Sequence, residues 1–585
     1  MKRISLFLVT LLLTANIYAQ QWTSLSGDRP AAPKASLVTN NENQIVVTFH
    51  LDGFNTTEVT TSRGTQSIVS VPEMVSMLQA GAPDLPHYVI PAIIGDKAEM
   101  QVSVKKSKFI DINDVEIAPS KGNFSRQLNP DDVPYTYGEA YNTNTFFPAA
   151  QATLDAPYII RDFRGQNIMV KPFAYNPVTK TLRVYTDLTI EMRKVSDNGE
   201  NQKTRVRGNK VTSEDMANYQ RRFINFEEAA AKYTFVQDRG EMLIICPDQY
   251  MSAMQPFVDW KNISGRPTTM VSLATAGGNT DTNIKNYIQN FYNDANHNLA
   301  YVLLVGDYND LKPHAVSIGN DSGYSDMWYA NLEGNDYYPE VLIGRFSVGS
   351  VNDVNTHVNK VLYYEREMPA GLTWVNKGIG IGANEGSGSG HNGGEADYVH
   401  INYIRDTLLH YTYESVSQQY SGVGSGTSAS AISADVNAGA SIINYCNHGD
   451  VTLWGVASYS NSHVNALTND NKLPFIISVA CLNGQFNQDC FAEAWLRATN
   501  NSTGVPTGAI GGMFSWISQP WTPPMTGQDE MNAIITEWRS TDKFNHTMGG
   551  AFLNGSSYIL DAHNNSDGQI TQQRKVETVI VRKAP

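Results

Sequence analysis

Short apolar runs alternate with amphipathic stretches of helical period through the second part of the 585-residue sequence, and this alternation constrains the fold more than any other feature. Residues 301–305 (YVLLV) and 475–479 (FIISV) are nearly free of polar side chains, as strands buried on both faces are. The stretches between such runs carry apolar side chains every three to four residues. This pattern predicts parallel sheets covered by helices, in two subdomains at residues 233–375 and 376–560.

The sequence before these subdomains has a different character, because β-branched and aromatic residues recur there in short extended runs. Residues 44–51 (QIVVTFHL) are one such run, and the turn dipeptide Asn176-Pro177 separates two others. We therefore predict an all-β domain with hairpins at residues 20–232. Apolar residues at helical spacing over residues 213–231 predict a connecting helix at its end.

Composition excludes several classes of protein. Lys plus Arg number 43 against 57 for Asp plus Glu, so the net charge is −14 and the chain has no global attraction for nucleic acid. The hydrophobic fraction of 41% is that of a folded protein. The sequence has four cysteines, which are Cys246, Cys446, Cys481 and Cys490. Four are too few for a disulfide-dense scaffold, and each thiol is therefore available for chemistry.

The first residues resemble an export signal. Lys2 and Arg3 precede an apolar run at residues 4–13, and Ala19 is a small residue at which a signal peptidase can cut. We therefore predict a signal peptide at residues 1–19 and a secreted or cell-surface protein. A membrane-spanning helix needs about 20 apolar residues, and we expect no transmembrane segment.

Two of the predicted strands end in residues that can do nucleophilic chemistry. One strand runs out into His448-Gly449, and the next runs directly into Cys481. Neighbouring parallel strands would place the thiol and the imidazole at one edge of a sheet, where the thiolate attacks and the imidazolium protonates a leaving amine. The N–H groups of Gly449 and Cys481 would form an oxyanion hole. The alternatives are an inert buried thiol and a structural histidine.

Longer motifs around these strand ends resemble the gingipain family of secreted cysteine endopeptidases, whose fold is similar to that of caspases. They are INYCNHGDVTLWG, PFIISVACLNGQF, DCFAEAWLRA, SQPWTPPMTGQDEMN and GGAFLNGSS, with EMLIICPDQY, YVLLVGD and GNDYYPEVLIGRF upstream. The resemblance covers residues 233–557, and the β-rich region before it resembles the propeptide of the family. It implies an α/β, caspase-like catalytic domain of two parallel-sheet subdomains flanked by helices, preceded by an all-β propeptide.

The resemblance also implies roles for individual residues. Cys481 matches the nucleophile and His448 the general base, while Glu385 matches the acid that orients the histidine. Asp397 matches the acid at the base of the pocket for the residue before the scissile bond, where a carboxylate would pair with a guanidinium. Trp521 matches an aromatic wall of that pocket. The other three cysteines are then bystanders.

A calcium site is a further implication of the resemblance, since Asp307, Asp336 and Glu340 resemble positions that bind this ion through hard oxygen ligands. An acidic surface cluster is the alternative. No redox or organic cofactor is expected.

The family's propeptide blocks the pocket with an arginine, and Arg126 is the candidate here. Alignment places maturation at Lys232-Tyr233. An arginine pocket would instead favour cleavage at one of four nearby arginines, which are Arg207, Arg221, Arg222 and Arg239.

Two hypotheses about function follow. The first is a secreted cysteine endopeptidase, made as a zymogen and cutting protein or peptide substrates after basic residues, arginine before lysine. The alternative is a non-catalytic secreted or surface binding protein that keeps the peptidase fold. Residues 561–585 depart from the family pattern, and we expect them to be divergent or truncated.

Overall fold

The computed structural model describes residues 20–205, 210–231, 236–318, 321–538, 547–563 and 575–576. Three predictions fall wholly or mostly outside these ranges. They concern the signal peptide at residues 1–19, cleavage at Lys232-Tyr233, and the C-terminal segment 561–585, of which only a few residues are described. Arg207 also lies outside the described residues.

The N-terminal region is built from strands, as predicted. The alternation of buried and less buried side chains is typical of strands. On one strand Ile45, Val47 and Phe49 are at most 2% exposed, while their neighbours are half-buried. The described strands pair antiparallel in three sheets ordered β1-β4-β5, β10-β11-β7-β6 and β12-β13-β3-β2, with β9 beside β11 and β8 beside β13. They are β1 (Gln21–Ser24), β2 (Lys34–Asn41), β3 (Gln44–His50), β4 (Gly53–Thr61), β5 (Gly64–Ser70), β6 (Val75–Ser76), β7 (Pro86–Ile94), β8 (Glu99–Ile112), β9 (Ala152–Leu154), β10 (Tyr158–Ile160), β11 (Phe163–Val170), β12 (Phe173–Asn176) and β13 (Thr181–Ser196).

The prediction of one connecting helix over residues 213–231 is wrong. The segment holds two helices, because Phe223 takes an extended conformation with φ −95° and ψ 124°. The buried side chain of Asn225 pairs with both the N–H and the C=O of Ile93 in β7, and this long-range contact competes with helix formation. The connector comprises β14 (Lys210–Thr212), α1 (Ser213–Arg222), α2 (Phe226–Ala230) and β15 (Val236–Asp238).

The first α/β subdomain has a four-stranded parallel sheet in the order β17-β16-β18-β21. Its central strand β18 is buried along its whole length, as its apolar sequence predicts. A separate antiparallel pair, β19 with β20, lies outside this sheet. The elements are β16 (Glu241–Cys246), α3 (Asp248–Ile263), β17 (Thr268–Ser272), α4 (Asp281–Asn293), β18 (Leu299–Val305), β19 (His314–Ile318), β20 (Asp321–Ser325), β21 (Leu342–Phe346) and α5 (Val351–Leu362).

The second α/β subdomain has a six-stranded sheet in the order β23-β22-β24-β28-β29-β30, parallel except for β30. The predicted α/β fold with an all-β domain before it is therefore confirmed. The elements are β22 (Lys377–Ala383), α6 (Asp397–Tyr411), β23 (Ser415–Ser421), α7 (Ala429–Ala438), β24 (Ile442–Cys446), β25 (Gly449–Asp450), β26 (Leu453–Trp454), β27 (Tyr459–Ser460), α8 (Asn461–Val464), β28 (Phe475–Val479), α9 (Phe491–Arg497), β29 (Gly511–Ser515), α10 (Thr522–Ile535), α11 (Met548–Ala562) and β30 (Lys575–Val576).

The helices of the described residues lack the length and hydropathy that a membrane span requires.

Candidate active site

The register of two adjacent strands brings the predicted histidine and cysteine to one edge of the sheet. Cys446 at the end of β24 pairs with Val479 at the end of β28. His448 lies two residues after Cys446, and Cys481 lies two residues after Val479. The next residue, Gly449, lies so close that a Cβ there would sit 2.9 Å from the backbone oxygen of Cys481. Only glycine permits this approach.

His448 is held by the predicted acid. Its Nε2 lies 3.0 Å from Oε1 of Glu385, which follows β22, the neighbour of β24. This hydrogen bond lowers the pKa of Glu385 and raises the pKa of His448. Because Nε2 faces the carboxylate, Nδ1 is the ring nitrogen available for proton exchange with a thiol.

Cys481 is fully buried beneath the loop between β29 and α10. The backbone N–H of Gln519 in that loop donates to Cys481 Sγ over 3.3 Å. A hydrogen-bond donor at this position stabilises a thiolate more than a thiol. The oxyanion hole of Gly449 and Cys481 stays a prediction, as do the catalytic roles.

Asp397 lies at the bottom of a closed pocket, with no exposed surface, at the first residue of α6. The guanidinium of Arg126 fills this pocket, and its Nη1 lies 3.0 Å from each Asp397 oxygen. Its Nη2 donates to the carbonyl of Trp521 over 3.3 Å, and its Cζ lies 4.3 Å from the centre of the indole ring. The two predicted pocket residues thus meet around one arginine.

Arg126 arrives on an extended segment of the N-terminal domain. Its N–H donates to the carbonyl of Gln519 over 2.7 Å, and the N–H of Trp521 donates to the carbonyl of Phe124 over 3.1 Å. Ser125 forms an antiparallel bridge with Pro520 between these two bonds. The segment therefore pairs with this loop through one antiparallel bridge, a contact of the kind by which proteins bind extended peptides.

The expectation that Cys446 is a bystander needs correction. Its Sγ lies 3.2 Å from Oδ1 of Asp397 and accepts from Nη2 of Arg126 over 3.3 Å, so this thiol lines the pocket. Burial raises its pKa well above the ordinary value. Its position two residues before His448, at the end of a buried strand, is a signal that could have found it.

The three predicted calcium ligands do not form one cluster of side chains among the described residues, and the calcium site stays a prediction. Two oxygens of Asp336 and one of Glu340 already accept backbone N–H groups, from Ile159, Tyr338 and Leu332 among others. Asp307 bonds to its own loop after β18. Among the described residues these three carboxylates form no group whose ligand atoms lie within 4.8 Å of one another.

A different cluster in the described residues does meet that distance, and the sequence analysis missed it. It consists of His391, His400 and Asp529, which come from a loop, α6 and α10. Burial would lower the pKa of His391, but hydrogen bonds to Asp529 and Glu395 raise it to about 10. Two imidazoles and a carboxylate are a donor set that can hold a divalent cation.

The fold and the site define a cysteine peptidase bound to its own propeptide. The sequence model of peptidase family C25 matches residues 236–578, and the sequence model of the C25 propeptide matches residues 26–232. The chain therefore belongs to peptidase family C25.

Related proteins agree with this assignment. Gingipain R2 of Porphyromonas gingivalis is 38% identical over 548 residues, which are 93% of this chain and 72% of the relative. The crystal structure of the Arg-specific cysteine proteinase gingipain R is 35% identical with a TM-score of 0.55, covering 59% of this chain and 79% of that one. A complex of the pro- and mature domains of Porphyromonas gingivalis RgpB is 35% identical with a TM-score of 0.54, covering 59% and 80%.

The predicted family and enzyme class are thus confirmed, and a non-catalytic binding protein is not favoured.

Proposed function

We propose that this peptidase cleaves peptide bonds after arginine. The observation that carries the proposal is the Arg126 guanidinium, whose Nη1 pairs with Asp397 while Nη2 reaches Cys446 and Trp521. A lysine side chain ends in a single ammonium nitrogen and cannot reach the partners of both Nη1 and Nη2, so the pocket favours arginine. The similarity to an Arg-specific proteinase supports the same preference.

The residues around the pocket support a thiol mechanism. The Cys481 sulfur attacks the carbonyl carbon of the arginine residue, and His448 takes the thiol proton and passes it to the departing amine. Water then hydrolyses the thioester, with His448 accepting its proton. Glu385 holds the imidazole in place and stabilises its charged form. The N–H groups of Gly449 and Cys481 would bind the oxyanion.

Latency follows from the occupant of the pocket. Arg126 takes the place of the substrate arginine, and the extended segment that carries it pairs with the loop before α10, where substrate would pair. We infer that the chain is made as a zymogen that its own propeptide inhibits. Export by the N-terminal signal belongs to the same proposal.

The test compares peptide amides that end in arginine, lysine or citrulline, using the processed protein. We expect arginine to be cut fastest and citrulline, which is uncharged, slowest. A thiol alkylator and the Cys481→Ala variant should both abolish hydrolysis. The matched control is Cys246→Ala, because Cys246 is also a buried strand-end thiol but lies in the other subdomain.

An unchanged rate in Cys481→Ala would contradict the thiol mechanism. Equal rates on arginine and citrulline would instead remove Asp397 from its role.

A further inference from the structure

The side chain of Asn447 lies between the two carboxylates of the site. Its Nδ2 donates to Oδ2 of Asp397 over 3.0 Å and to Oε2 of Glu385 over 3.3 Å. The residue is 4% exposed, and its backbone N–H donates to the carbonyl of Val479 in β28 over 3.2 Å. The backbone of Asn447 is therefore held by the sheet, and its side-chain amide is shared by both acids.

The last residue of β24 and the two residues after it divide these contacts among them. Cys446 contacts Asp397, His448 contacts Glu385, and Asn447 contacts both. A continuous chain of hydrogen bonds thus runs from the guanidinium through Asp397, Asn447 and Glu385 to the imidazole.

Two carboxylates that share one hydrogen-bond donor repel each other, and Asn447 lies between Asp397, which is fully buried, and Glu385, whose side chain is 28% exposed. An amide NH₂ placed between them supplies a donor to each, and its removal leaves an oxygen of each acid without that partner. Losing a hydrogen bond to a charged group weakens the arrangement that the bond holds more than losing one between neutral groups does. Both the pocket and the base would then lose a restraint.

On the basis of the proposed function, we propose that Asn447 is a positioning residue that couples the arginine pocket to the general base. It holds Asp397 and Glu385 in one hydrogen-bonded unit, so the geometry of the pocket and of His448 is set together. The charged groups that face His448 are Glu385, Asp397 and, in the latent chain, Arg126.

The test measures kcat and KM on an arginine amide across pH for Asn447→Ala, using the full chain after processing. We expect kcat/KM to fall about tenfold or more, with KM rising and kcat falling. The limb of the kcat profile that belongs to His448 should move to lower pH, because a loosened Glu385 raises the histidine pKa less.

The matched control is Asn444→Ala. Asn444 is a buried asparagine on β24, the strand that Asn447 follows, but its side chain pairs with Asn532 and Gln528 instead of the two acids. We expect it to lose thermal stability while kcat, KM and the histidine limb of the remaining folded enzyme stay within about twofold of wild type.

A loss of stability in Asn447→Ala with unchanged KM, kcat and pH limb would overturn the positioning role and leave the peptidase proposal standing. A wild-type protein that fails to cut the arginine amide would overturn the proposed function itself.

Discussion

Asp397 decides specificity at the scale of a single residue. Its carboxylate is fully buried, and its partner in the latent chain is the guanidinium of Arg126. Removing one member of a buried ion pair costs about 3–5 kcal/mol, since the other charge stays desolvated. We expect Asp397→Asn to lower kcat/KM for arginine substrates by about 100-fold or more, with a much smaller change for citrulline.

Asp406→Asn is the control for this prediction. Asp406 lies on the same helix, α6, but its side chain is 59% exposed. Steady-state kinetics on paired arginine and citrulline substrates check both variants, and an equal loss on the two substrates would contradict a charge-selective pocket.

The placement of single residues could be predicted from the sequence where they directly follow a buried strand. Cys481 and His448 could be placed together because parallel strands end at one edge. Glu385 and Asp397 lie on loops and helix ends whose approach depends on tertiary packing, and only the family resemblance pointed to them. Cys446 was missed because a buried cysteine ordinarily acts as a small apolar residue.

At the scale of the element, the proposed latency depends on the extended segment at residues 124–126. Phe124 and Ser125 pair with the loop before α10, and the arginine side chain enters the pocket. We expect an Arg126→Ala proenzyme to hydrolyse arginine substrates before its backbone is cut, because the pocket is empty while the chain is intact. Activity assays paired with electrophoresis of the same samples check the order of events.

Arg193→Ala is the control for latency, because Arg193 is exposed on β13. Latency that persists unchanged in Arg126→Ala would remove that arginine from the inhibitory role.

Helices and strands could be predicted where the pattern of apolar residues within the segment itself decides the structure. The apolar runs of β18 and β28 identify buried parallel strands without further information. The break between α1 and α2 was not predictable, because it depends on Asn225 pairing with Ile93, which lies 132 residues away in the sequence. The helical spacing around it is otherwise regular.

At the scale of the whole molecule, the N-terminal region and the second α/β subdomain contact each other through buried acidic side chains. Asp561 on α11 accepts hydrogen bonds from Asn167 and Arg222 of the N-terminal region and connector. Asp155 lies near it, and among the described residues its Oδ2 has no hydrogen-bond partner. Burial, together with the charge of Asp561, raises the pKa of Asp155 to about 7.

This raised pKa makes stability depend on pH. The folded chain holds the Asp155 proton up to about pH 7, whereas the unfolded chain releases it near the ordinary value of 3.8. The free energy of unfolding therefore falls as pH rises between these values, by roughly 4 kcal/mol at most from this group. We expect Asp155→Asn to stabilise the proenzyme at pH 8 and to change little at pH 4.

Denaturant unfolding at the two pH values checks this, with the exposed Asp132→Asn as control. The same stabilisation at both pH values would contradict the assignment to Asp155.

The most direct test of the proposed peptidase site is covalent labelling with a Phe-Ser-Arg chloromethyl ketone, whose sequence is that of residues 124–126. Peptide mass mapping then locates the label on the processed protein. We expect it on Cys481 alone, with no label in Cys481→Ala and weak labelling in Asp397→Asn. A label on Cys446, or none on the wild-type protein, would contradict the assignment of Cys481 as the nucleophile beside an arginine pocket.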